Sequence, residues 1–345
     1  MLKTIKDTKI SFIILINIFI IFLAIELFFT YILGYKNKVE LNTCKRIYDI
    51  KNNFNTYSPN CEDIIKHWEQ DNFISYKINS KGRRDLNIKK NNSKKIAFIG
   101  DSFTFGAMVP VKDIYNFYAF DNILKSSFEI HNYGTPSEQL HNVFNKLKTL
   151  DESKYKYFVY GLTPNDFFDL VDGSFNKRKK DTNEVNKESK IETFKQIKKY
   201  LLSTATSRFI LHSLMSNDSI YLKTYLSRKP YSGYLLKNLP DKWIKSIDYF
   251  DETLNNLEPK YKSKLKIFIL PQRAEVISNR LNSYNPSLVN AVVNICNKNK
   301  IDCSFPDLNS LSKIDESHFP VDGHLTIQGN HNVGKSLAEW VKNWD

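Results

Sequence analysis

The sequence predicts an α/β fold with a central parallel sheet, preceded by a segment that spans a membrane. Three observations indicate this: apolar runs that alternate with helical patterns after residue 94, a long apolar stretch near the N-terminus, and a serine directly after the first buried strand. Strands that alternate with helices form parallel sheets, because each crossover returns the chain to the same edge. The 345 residues are enough for one large domain or two small ones.

The N-terminal segment is predicted to be an uncleaved membrane anchor. A short basic tail over 1–9 precedes the almost wholly apolar residues 10–33. At about 1.5 Å per residue this stretch forms a helix of roughly 36 Å, enough to cross a hydrocarbon core of about 30 Å. A cleaved signal peptide is the alternative, but its apolar region is only about 7–15 residues long and ends at a small-residue cleavage site, which is missing here.

The orientation of this anchor is only weakly encoded. Basic residues lie on both sides of the apolar stretch, so the positive-inside rule barely distinguishes the two orientations. Because the tail is short and large domains translocate largely regardless of charge, we expect the N-terminus in the cytoplasm and the bulk of the chain outside. Glu26 is expected near the far interface, since a charge in the middle of a bilayer is costly.

Residues 34–92 are polar and are predicted to form a stalk and the lead-in to a single domain over 93–345. In that domain Ser137 is expected to cap a helix. Apolar runs predict strands and amphipathic runs predict helices. The predicted strands cover 96–99, 128–133, 155–160, 264–270 and 301–304, and the predicted helices cover 113–124, 137–150, 286–297 and 326–344.

The alternation breaks over 169–262, which we predict to be a mostly helical insertion. A charged, solvated run ends near residue 190, and helical patterns follow over 191–202, 207–214 and 241–257. Insertions at the carboxyl edge of a sheet commonly shape substrate pockets. A packing appendage without a role in binding explains the pattern equally well.

Charge and cysteine content exclude two classes of partner. The formal net charge is +13, but the lysines are spread along the chain among acidic residues, so we predict a solvated basic surface and no nucleic-acid partner. The four cysteines have no metal-ligand spacing, and we predict no metal and no other cofactor. Their closeness in sequence allows two bridges in an oxidising compartment, Cys44–Cys61 and Cys296–Cys303, and free buried thiols explain the pattern at least as well.

Ser102 is the candidate nucleophile. It follows the apolar strand and Gly100-Asp101, which places its hydroxyl on the carboxyl edge of the sheet, where α/β folds bind ligands. A hydroxyl needs a base, and the base needs an orienting group. Asp322 and His324, in the loop before the last helix, meet this need because the carboxylate can bond one ring nitrogen and leave the other for the serine.

Each of these residues also has an ordinary structural interpretation. Ser102 would then be a helix cap and His324 a surface histidine. His318 and His331 are the fallback bases, although His331 falls inside the final predicted helix. Acyl chemistry also requires donors for an oxyanion, and the Gly134 N–H and the Asn165 amide lie after the next two predicted strands. Taken singly, Gly134 would be a turn and Asn165 a helix cap.

Together these blocks resemble the SGNH/GDSL hydrolase family. In chain order they are Gly100-Asp101-Ser102-Phe103, Gly134, Asn165-Asp166 and Asp322-Gly323-His324. The resemblance covers about 94–344 without the insertion. The stretch from Gly100 to Gly106 is similar to a membrane-anchored bacterial branch of that family.

The resemblance implies a flavodoxin-like three-layer α/β/α domain and assigns roles to its blocks. Ser102 is implied as the nucleophile, His324 as the base and Asp322 as its orienting partner. The implied oxyanion hole consists of the Ser102 N–H, the Gly134 N–H and the Asn165 amide.

Asp101 is interpreted as a structural hydrogen-bonding residue. The chain departs from the family pattern twice. One residue instead of two separates Asp322 from His324, and Thr163-Pro164 replaces the usual Gly-x before Asn165, where the proline is expected to re-aim the amide.

These features predict a serine esterase at the outer face of a bacterial cell membrane. Its expected substrate is an acyl ester, with O-acetyl groups on a cell-surface glycan or lipid as the favoured case. The first alternative is an O-acyltransferase with the same triad, in which a sugar hydroxyl replaces water and a membrane-bound acyltransferase partner supplies the acyl group. The second is an inactive glycan-binding or assembly protein, against which the intact Ser102, Asn165 and His324 argue.

Overall fold

The chain begins with a long helix, α1 (Leu2–Leu27), which a π-helical turn continues over Phe28–Ile32. The computed structural model describes residues 2–86, 94–125, 128–172, 204–228, 230–342 and 344. Within these residues one segment, Ile14–Ile32, is long and apolar enough to cross a membrane, with a mean hydropathy of 2.4 over 19 residues. Its large apolar side chains are exposed instead of packed in a core.

Residues 38–78 form a small antiparallel unit, which we call the N-terminal β region. Strand β4 pairs with both β1 and β5, while β2 and β3 form a separate two-stranded ribbon. A disulfide joins Cys44 to Cys61, whereas Cys296 and Cys303 are free thiols. The strands are β1 (Lys38–Asn42), β2 (Arg46–Asp49), β3 (Phe54–Tyr57), β4 (Cys61–Lys66) and β5 (Ile74–Ile78).

For residues 34–92 we predicted a stalk and the lead-in to the domain, without the strands that the structure has there, and the omission of the strands has a physical reason. Most residues of these strands are only partly buried, so the period-2 apolar pattern of a strand is weak in the sequence. The buried centre of the unit consists of Cys61 and Ile78 packed against Phe105, which belongs to the following domain. The unit therefore depends on contacts that a local reading of the sequence does not reveal.

The central sheet has five parallel strands in the order β7-β6-β8-β9-β10. Counted along the chain this order is 2-1-3-4-5, which is the flavodoxin-like arrangement. Parallel pairing is continuous from β6 to both of its neighbours and onward to β9 and β10. The strands are β6 (Lys95–Gly100), β7 (Glu129–Asn132), β8 (Tyr157–Leu162), β9 (Leu265–Ile269) and β10 (Asp302–Ser304).

Helices cover both faces of this sheet and connect its strands. In chain order they are α2 (Ser102–Phe105), α3 (Tyr115–Phe117, continued by a π-helical turn over Tyr118–Ile123), α4 (Leu140–Thr149), α5 (Phe168–Val171), α6 (Ala205–Met215), α7 (Asp218–Leu226), α8 (Asp241–Asn255), α9 (Pro259–Lys262), α10 (Arg273–Arg280), α11 (Ser287–Lys298), α12 (Ile314–Ser317) and α13 (Ile327–Val341).

Two cores lie on the two faces of the sheet. Along β6, Ala97 and Ile99 face the core formed with α4, α8 and α11, while Ile96 and Phe98 face the core formed with α3, α10 and α13. This alternation follows from the period of two in a strand, and a strand buried on both sides reads as one continuous apolar run. The predicted three-layer α/β/α architecture is thereby confirmed.

The start of α4 differs from the prediction, whereas the described part of the insertion agrees with it. Ser137 does not cap α4, because the chain first makes a turn in which the Glu138 N–H donates to the Thr135 carbonyl and Ser137 adopts a φ of 63°; Gln139 is the N-cap. The described part of the insertion is helical, as expected, in α6, α7 and α8. The predicted helix over 191–202, the charged run before it and the boundary at 92 lie outside the described residues.

Candidate active site

The turn that carries Ser102, the candidate nucleophile, joins β6 to α2 at the carboxyl edge of the sheet; we call it the nucleophile turn. Gly100 has a φ of 152°, and a Cβ there would lie 2.8 Å from the carbonyl oxygen of Gly161 in β8. Only glycine permits this close approach. Asp101 then caps α2, since its Oδ1 accepts from the Phe103 N–H at 2.9 Å. Ser102 follows as the first helical residue, so its own N–H has no acceptor within the helix.

Ser102 and His324 meet across a sequence separation of 222 residues. The Oγ of Ser102 lies 2.7 Å from Nε2 of His324, and Nδ1 of the same ring bonds Oδ1 of Asp322. The ring thus has a carboxylate on one nitrogen and a hydroxyl on the other. In this arrangement a neutral imidazole carries its proton on the carboxylate side and can accept from the serine.

The electrostatics favour a basic histidine. Burial disfavours the charged ring, but the hydrogen bond and negative charge of Asp322, with the charge of Asp101, outweigh it and raise the pKa of His324 above its ordinary 6.5. Burial also opposes the ionised form of Asp322, yet its hydrogen bond to His324 and the charge of that ring lower the Asp322 pKa below the ordinary value. Each group thereby stabilises the charged form of the other.

The two expected oxyanion donors lie beside the nucleophile turn, but both already have partners. A Cβ on Gly134 would lie 2.6 Å from the carbonyl carbon of Thr104, so this loop approaches α2 as only glycine allows. The Gly134 N–H donates to Oδ1 of Asn132 at 2.9 Å. The Asn165 Nδ2 donates to Oδ2 of Asp101 at 2.9 Å. An amide nitrogen carries two hydrogens, and this bond uses one of them.

Gln272, after β9, fixes the orientation of the Asn165 amide. Its Oε1 accepts from the hydroxyls of Tyr225 and Tyr234, at 2.8 and 3.2 Å, so its Nε2 is the end that reaches Asn165. That nitrogen donates to Oδ1 of Asn165 at 3.1 Å and keeps the Asn165 nitrogen directed to the Asp101 side. Tyr225 belongs to α7, so the insertion takes part in arranging the site.

The two fallback histidines have structural partners. His318 is buried, its Nδ1 lies 2.9 Å from Oγ of Ser317, and burial lowers its pKa to about 3. His331 lies 3.0 Å from Asp113 and stacks on Tyr118. Of the three candidate bases, His324 is the one in contact with Ser102. Among the described residues no group of three or more histidine, cysteine, aspartate or glutamate side chains has a geometry that would hold a metal ion.

No family model matches the chain, and no curated protein matches it. It is similar to solved esterases and G-D-S-L lipolytic proteins. An acetylxylan esterase from Geobacillus stearothermophilus is 12% identical with a TM-score of 0.39, covering 74% of this chain and 98% of that one. A G-D-S-L lipolytic protein from Veillonella parvula is 11% identical with a TM-score of 0.38, covering 73% and 100%. The chemistry assigned to this chain rests on its own residues.

Glu69, which sequence reasoning did not single out, holds the loop that carries Asp322. Its side chain is fully buried, and its two carboxylate oxygens accept from the N–H groups of Val321 and Asp322 at 2.8 and 2.9 Å. Burial raises the pKa of Glu69 to about 7, against the opposing effect of these two bonds. The residue lies just after β4, so the N-terminal β region reaches the catalytic loop.

Arg84 holds the other end of the nucleophile turn. Only 2% of this residue is exposed, and its guanidinium donates to the carbonyls of Phe105, Gly106 and Val109 at 3.1, 2.5 and 2.6 Å. It also lies 4.5 Å from the ring centre of Tyr76 in β5. Burial lowers the pKa of Arg84 to about 10, which leaves it charged at neutral pH.

The Gly134 loop is held in the same way. The N–H of Asn55 in β3 donates to Glu138 at 2.6 Å, and Glu138 lies 3.8 Å from Nζ of Lys146 in α4. Lys146 in turn donates to Oγ1 of Thr135 at 2.8 Å and to the carbonyl of Tyr133 at 3.2 Å. Sequence gives no signal for these pairings, because nothing local distinguishes these residues from the many other charged ones.

Proposed function

We propose that the protein is a serine esterase of the SGNH type. The observation that carries this proposal is the Ser102–His324 contact of 2.7 Å with Asp322 on the far ring nitrogen. If His324 were a surface histidine with a structural role, its alignment with a serine that follows a buried strand would have no explanation. The shorter Asp-x-His spacing leaves this contact intact, since it still brings Asp322 to Nδ1. After Thr163-Pro164 the Asn165 amide nitrogen lies beside Asp101, next to the candidate nucleophile.

In the proposed reaction Ser102 Oγ attacks the carbonyl carbon of the ester while His324 Nε2 takes the hydroxyl proton. The carbonyl oxygen becomes an oxyanion, which the Ser102 N–H and the second hydrogen of Asn165 Nδ2 would stabilise. The Gly134 N–H would serve only as a shared donor, because it also donates to Asn132.

Collapse of this intermediate breaks the ester C–O bond, and the leaving alcohol takes the proton from His324. Water then attacks the acyl-serine with His324 again as the base. The acid is released and the Ser102 hydroxyl is restored.

We further propose that the domain lies outside the cytoplasm on a single-pass anchor and removes acyl groups, with acetyl as the favoured case, from a surface glycan or lipid. The anchor is the segment Ile14–Ile32. The Cys44–Cys61 disulfide supports the extracytoplasmic location, because such bonds persist in oxidising compartments.

The test uses full-chain protein in detergent micelles with 4-nitrophenyl acetate. Ser102→Ala is expected to lower kcat by about 10³-fold or more, and Ser153→Ala, in an exposed turn, is the matched control. A fluorophosphonate should label the wild type and not the Ser102 variant. Absence of both turnover and labelling would favour the inactive binding protein. Acyl transfer to an added glycan in preference to water would favour the O-acyltransferase.

A further inference from the structure

The catalytic loop lies next to the point where the chain leaves the membrane span. The ring centres of Tyr35, just after the span, and Trp68 are 5.7 Å apart. Glu69 follows Trp68 and accepts from the backbone of Val321 and Asp322. Only these contacts separate the end of the anchor from the carboxylate that bonds His324.

The insertion is attached to the same end of the anchor. The carboxylate of Glu26 accepts from the N–H groups of Ala205 and Thr206, the first residues of α6, at 2.6 and 3.0 Å. The ring of Phe209 stacks on Phe29 with centres 4.5 Å apart. These contacts place the start of α6 at the level where the span ends, and they give a partner to the one acidic residue within the span.

The helices that continue from this attachment expose large apolar side chains. Ile210 and Leu214 are 52% and 44% exposed, and their i,i+4 spacing puts them on one face of α6. Ile220 and Leu226 of α7 are also exposed. Lys223 lies on α7 and Arg228 directly after it, while Arg208 of α6 donates to the Tyr35 carbonyl at 3.2 Å and so holds this helix to the end of the span. Apolar residues flanked by basic ones are typical of helices that lie in a membrane interface.

The bilayer is the occupant that this position favours. Because α6 is bonded to Glu26 and packed on Phe29, in the last turns of the span, its exposed side chains start in the interfacial part of the bilayer. Lys223 and Arg228 would meet lipid phosphates there. The second helix also reaches the site, since Tyr225 of α7 bonds Gln272, which bonds Asn165.

We propose that α6 and α7 rest on the bilayer surface and hold the catalytic loop there, so that the substrate is an ester carried by a molecule inserted in the bilayer. This inference rests on the proposed esterase function for its chemistry, but the contact of α6 and α7 with lipid does not. A soluble polysaccharide ester would gain nothing from a site held at this level, whereas a lipid-borne ester is delivered to it by lateral diffusion.

The first experiment maps the lipid contact in the full chain without any substitution. Wild-type protein in phosphatidylcholine–phosphatidylglycerol vesicles is photolabelled with a trifluoromethyl-diazirine probe dissolved in the bilayer, and labelled peptides are identified by mass spectrometry. We expect label in the anchor, which is the positive control, and in the peptides of α6 and α7. Ile50, 86% exposed in the β2–β3 ribbon, is the matched apolar residue that should stay unlabelled. Label confined to the anchor would overturn the inference.

The second experiment measures the substrate class with two phenyl acetates that share a leaving group. One is 4-acetoxy-N-hexadecylbenzamide, which inserts in the vesicle, and the other is the soluble N-methyl analogue. Ile210→Glu with Leu214→Glu should lower the rate on the hexadecyl ester by about fivefold or more, because charges on this face weaken its burial in lipid, and should leave the N-methyl ester within about twofold. Ile50→Glu should change neither rate.

Equal loss on both esters, or no loss on either, would contradict the proposed substrate class. Failure of wild-type protein to hydrolyse either ester would remove the esterase function itself, together with the substrate class. Labelled α6 and α7 peptides in that case would leave the bilayer contact standing, so the two failures are distinguishable.

Discussion

The central sheet and the N-terminal β region contribute different parts of the candidate site. The sheet brings the groups that would react to one edge: Ser102 after β6, Asn165 after β8 and His324 in the loop before α13. None of the candidate catalytic and oxyanion residues belongs to the N-terminal β region. Glu69 of this region, together with Arg84 shortly after β5, supplies the contacts that hold the loops on which those residues lie.

The difference shows which backbone groups a doubly wound sheet leaves without hydrogen-bond partners. Hydrogen bonds between strands fix the strand ends, but the loops beyond them leave backbone N–H and carbonyl groups that the sheet does not satisfy. Arg84 donates hydrogen bonds to three carbonyls of the nucleophile turn. Glu69 accepts hydrogen bonds from two N–H groups of the catalytic loop, the loop that carries Asp322 and His324. Both are buried charges whose partners are backbone dipoles, so their removal is expected to alter loop positions before it alters the sheet.

The largest expected effect lies on the sheet's side of this comparison. Asp322→Asn should lower kcat on 4-nitrophenyl acetate by about 10³-fold, because an amide can hold His324 in the wrong tautomer and cannot stabilise the imidazolium. The loss of the negative charge should also lower the His324 pKa. A neutral base is required, so the acid limb of the pH profile of kcat/KM should move to lower pH in the variant.

Asp113→Asn is the matched control, since Asp113 bonds His331, which does not contact Ser102. It should leave both kcat and the acid limb unchanged. An acid limb that stays in place after Asp322→Asn would show that a group other than His324 governs it.

A smaller effect, and one of a different kind, is expected from Arg84→Met. The methionine fills most of the volume but leaves the buried carbonyls of Phe105, Gly106 and Val109 without their donor, which should lower the free energy of unfolding by about 3 kcal/mol. Urea titration of the full chain in micelles measures it. Lys77→Met, at an exposed position of β5, should stay within about 0.5 kcal/mol of the wild type. Equal losses of unfolding free energy in the two variants would mean that Arg84 does not stabilise the nucleophile turn.

The sequence predicted the sheet's contribution well because that contribution is local. A strand buried on both faces reads as a continuous apolar run, so the prediction for β6 agrees to within a residue at each end, and Ser102 follows two residues after the glycine that ends it. The pairing of Ser102 with the Asp-x-His block required only that both lie at one edge of the sheet.

The N-terminal contribution could not be predicted in the same way. Glu69 is one of 37 acidic residues, and what distinguishes it is that the fold buries it against residues about 250 positions later. Because the apolar alternation of β1–β5 is weak, the sequence did not predict the N-terminal β region, to which Glu69 belongs. Gln272 was missed for a similar reason, since its role depends on tyrosines from an insertion whose position the sequence does not reveal.

The smallest of these effects, and the sharpest test of a positioning role, is expected from Glu69→Gln. Glutamine can accept only one of the two loop N–H bonds through its single carbonyl oxygen, so Asp322 would be less well placed behind His324. We expect kcat at pH 8 to fall by about tenfold with KM unchanged, because the lost bond acts on the position of Asp322. Glu62→Gln is the matched control from β4, where the carboxylate bonds only the exposed Ser75 hydroxyl.

The stability of the same variant separates positioning from simple structural support. The folded-state pKa of about 7 lies above the ordinary 4.5, so folding takes up a proton at Glu69 between these values, and wild-type stability falls as pH rises through that window. Glutamine removes this dependence. The melting temperature of Glu69→Gln relative to wild type should therefore rise from pH 5 to pH 8, where the variant is nevertheless slower. A variant that loses kcat and stability in parallel at pH 8 would mean that Glu69 only holds the fold together.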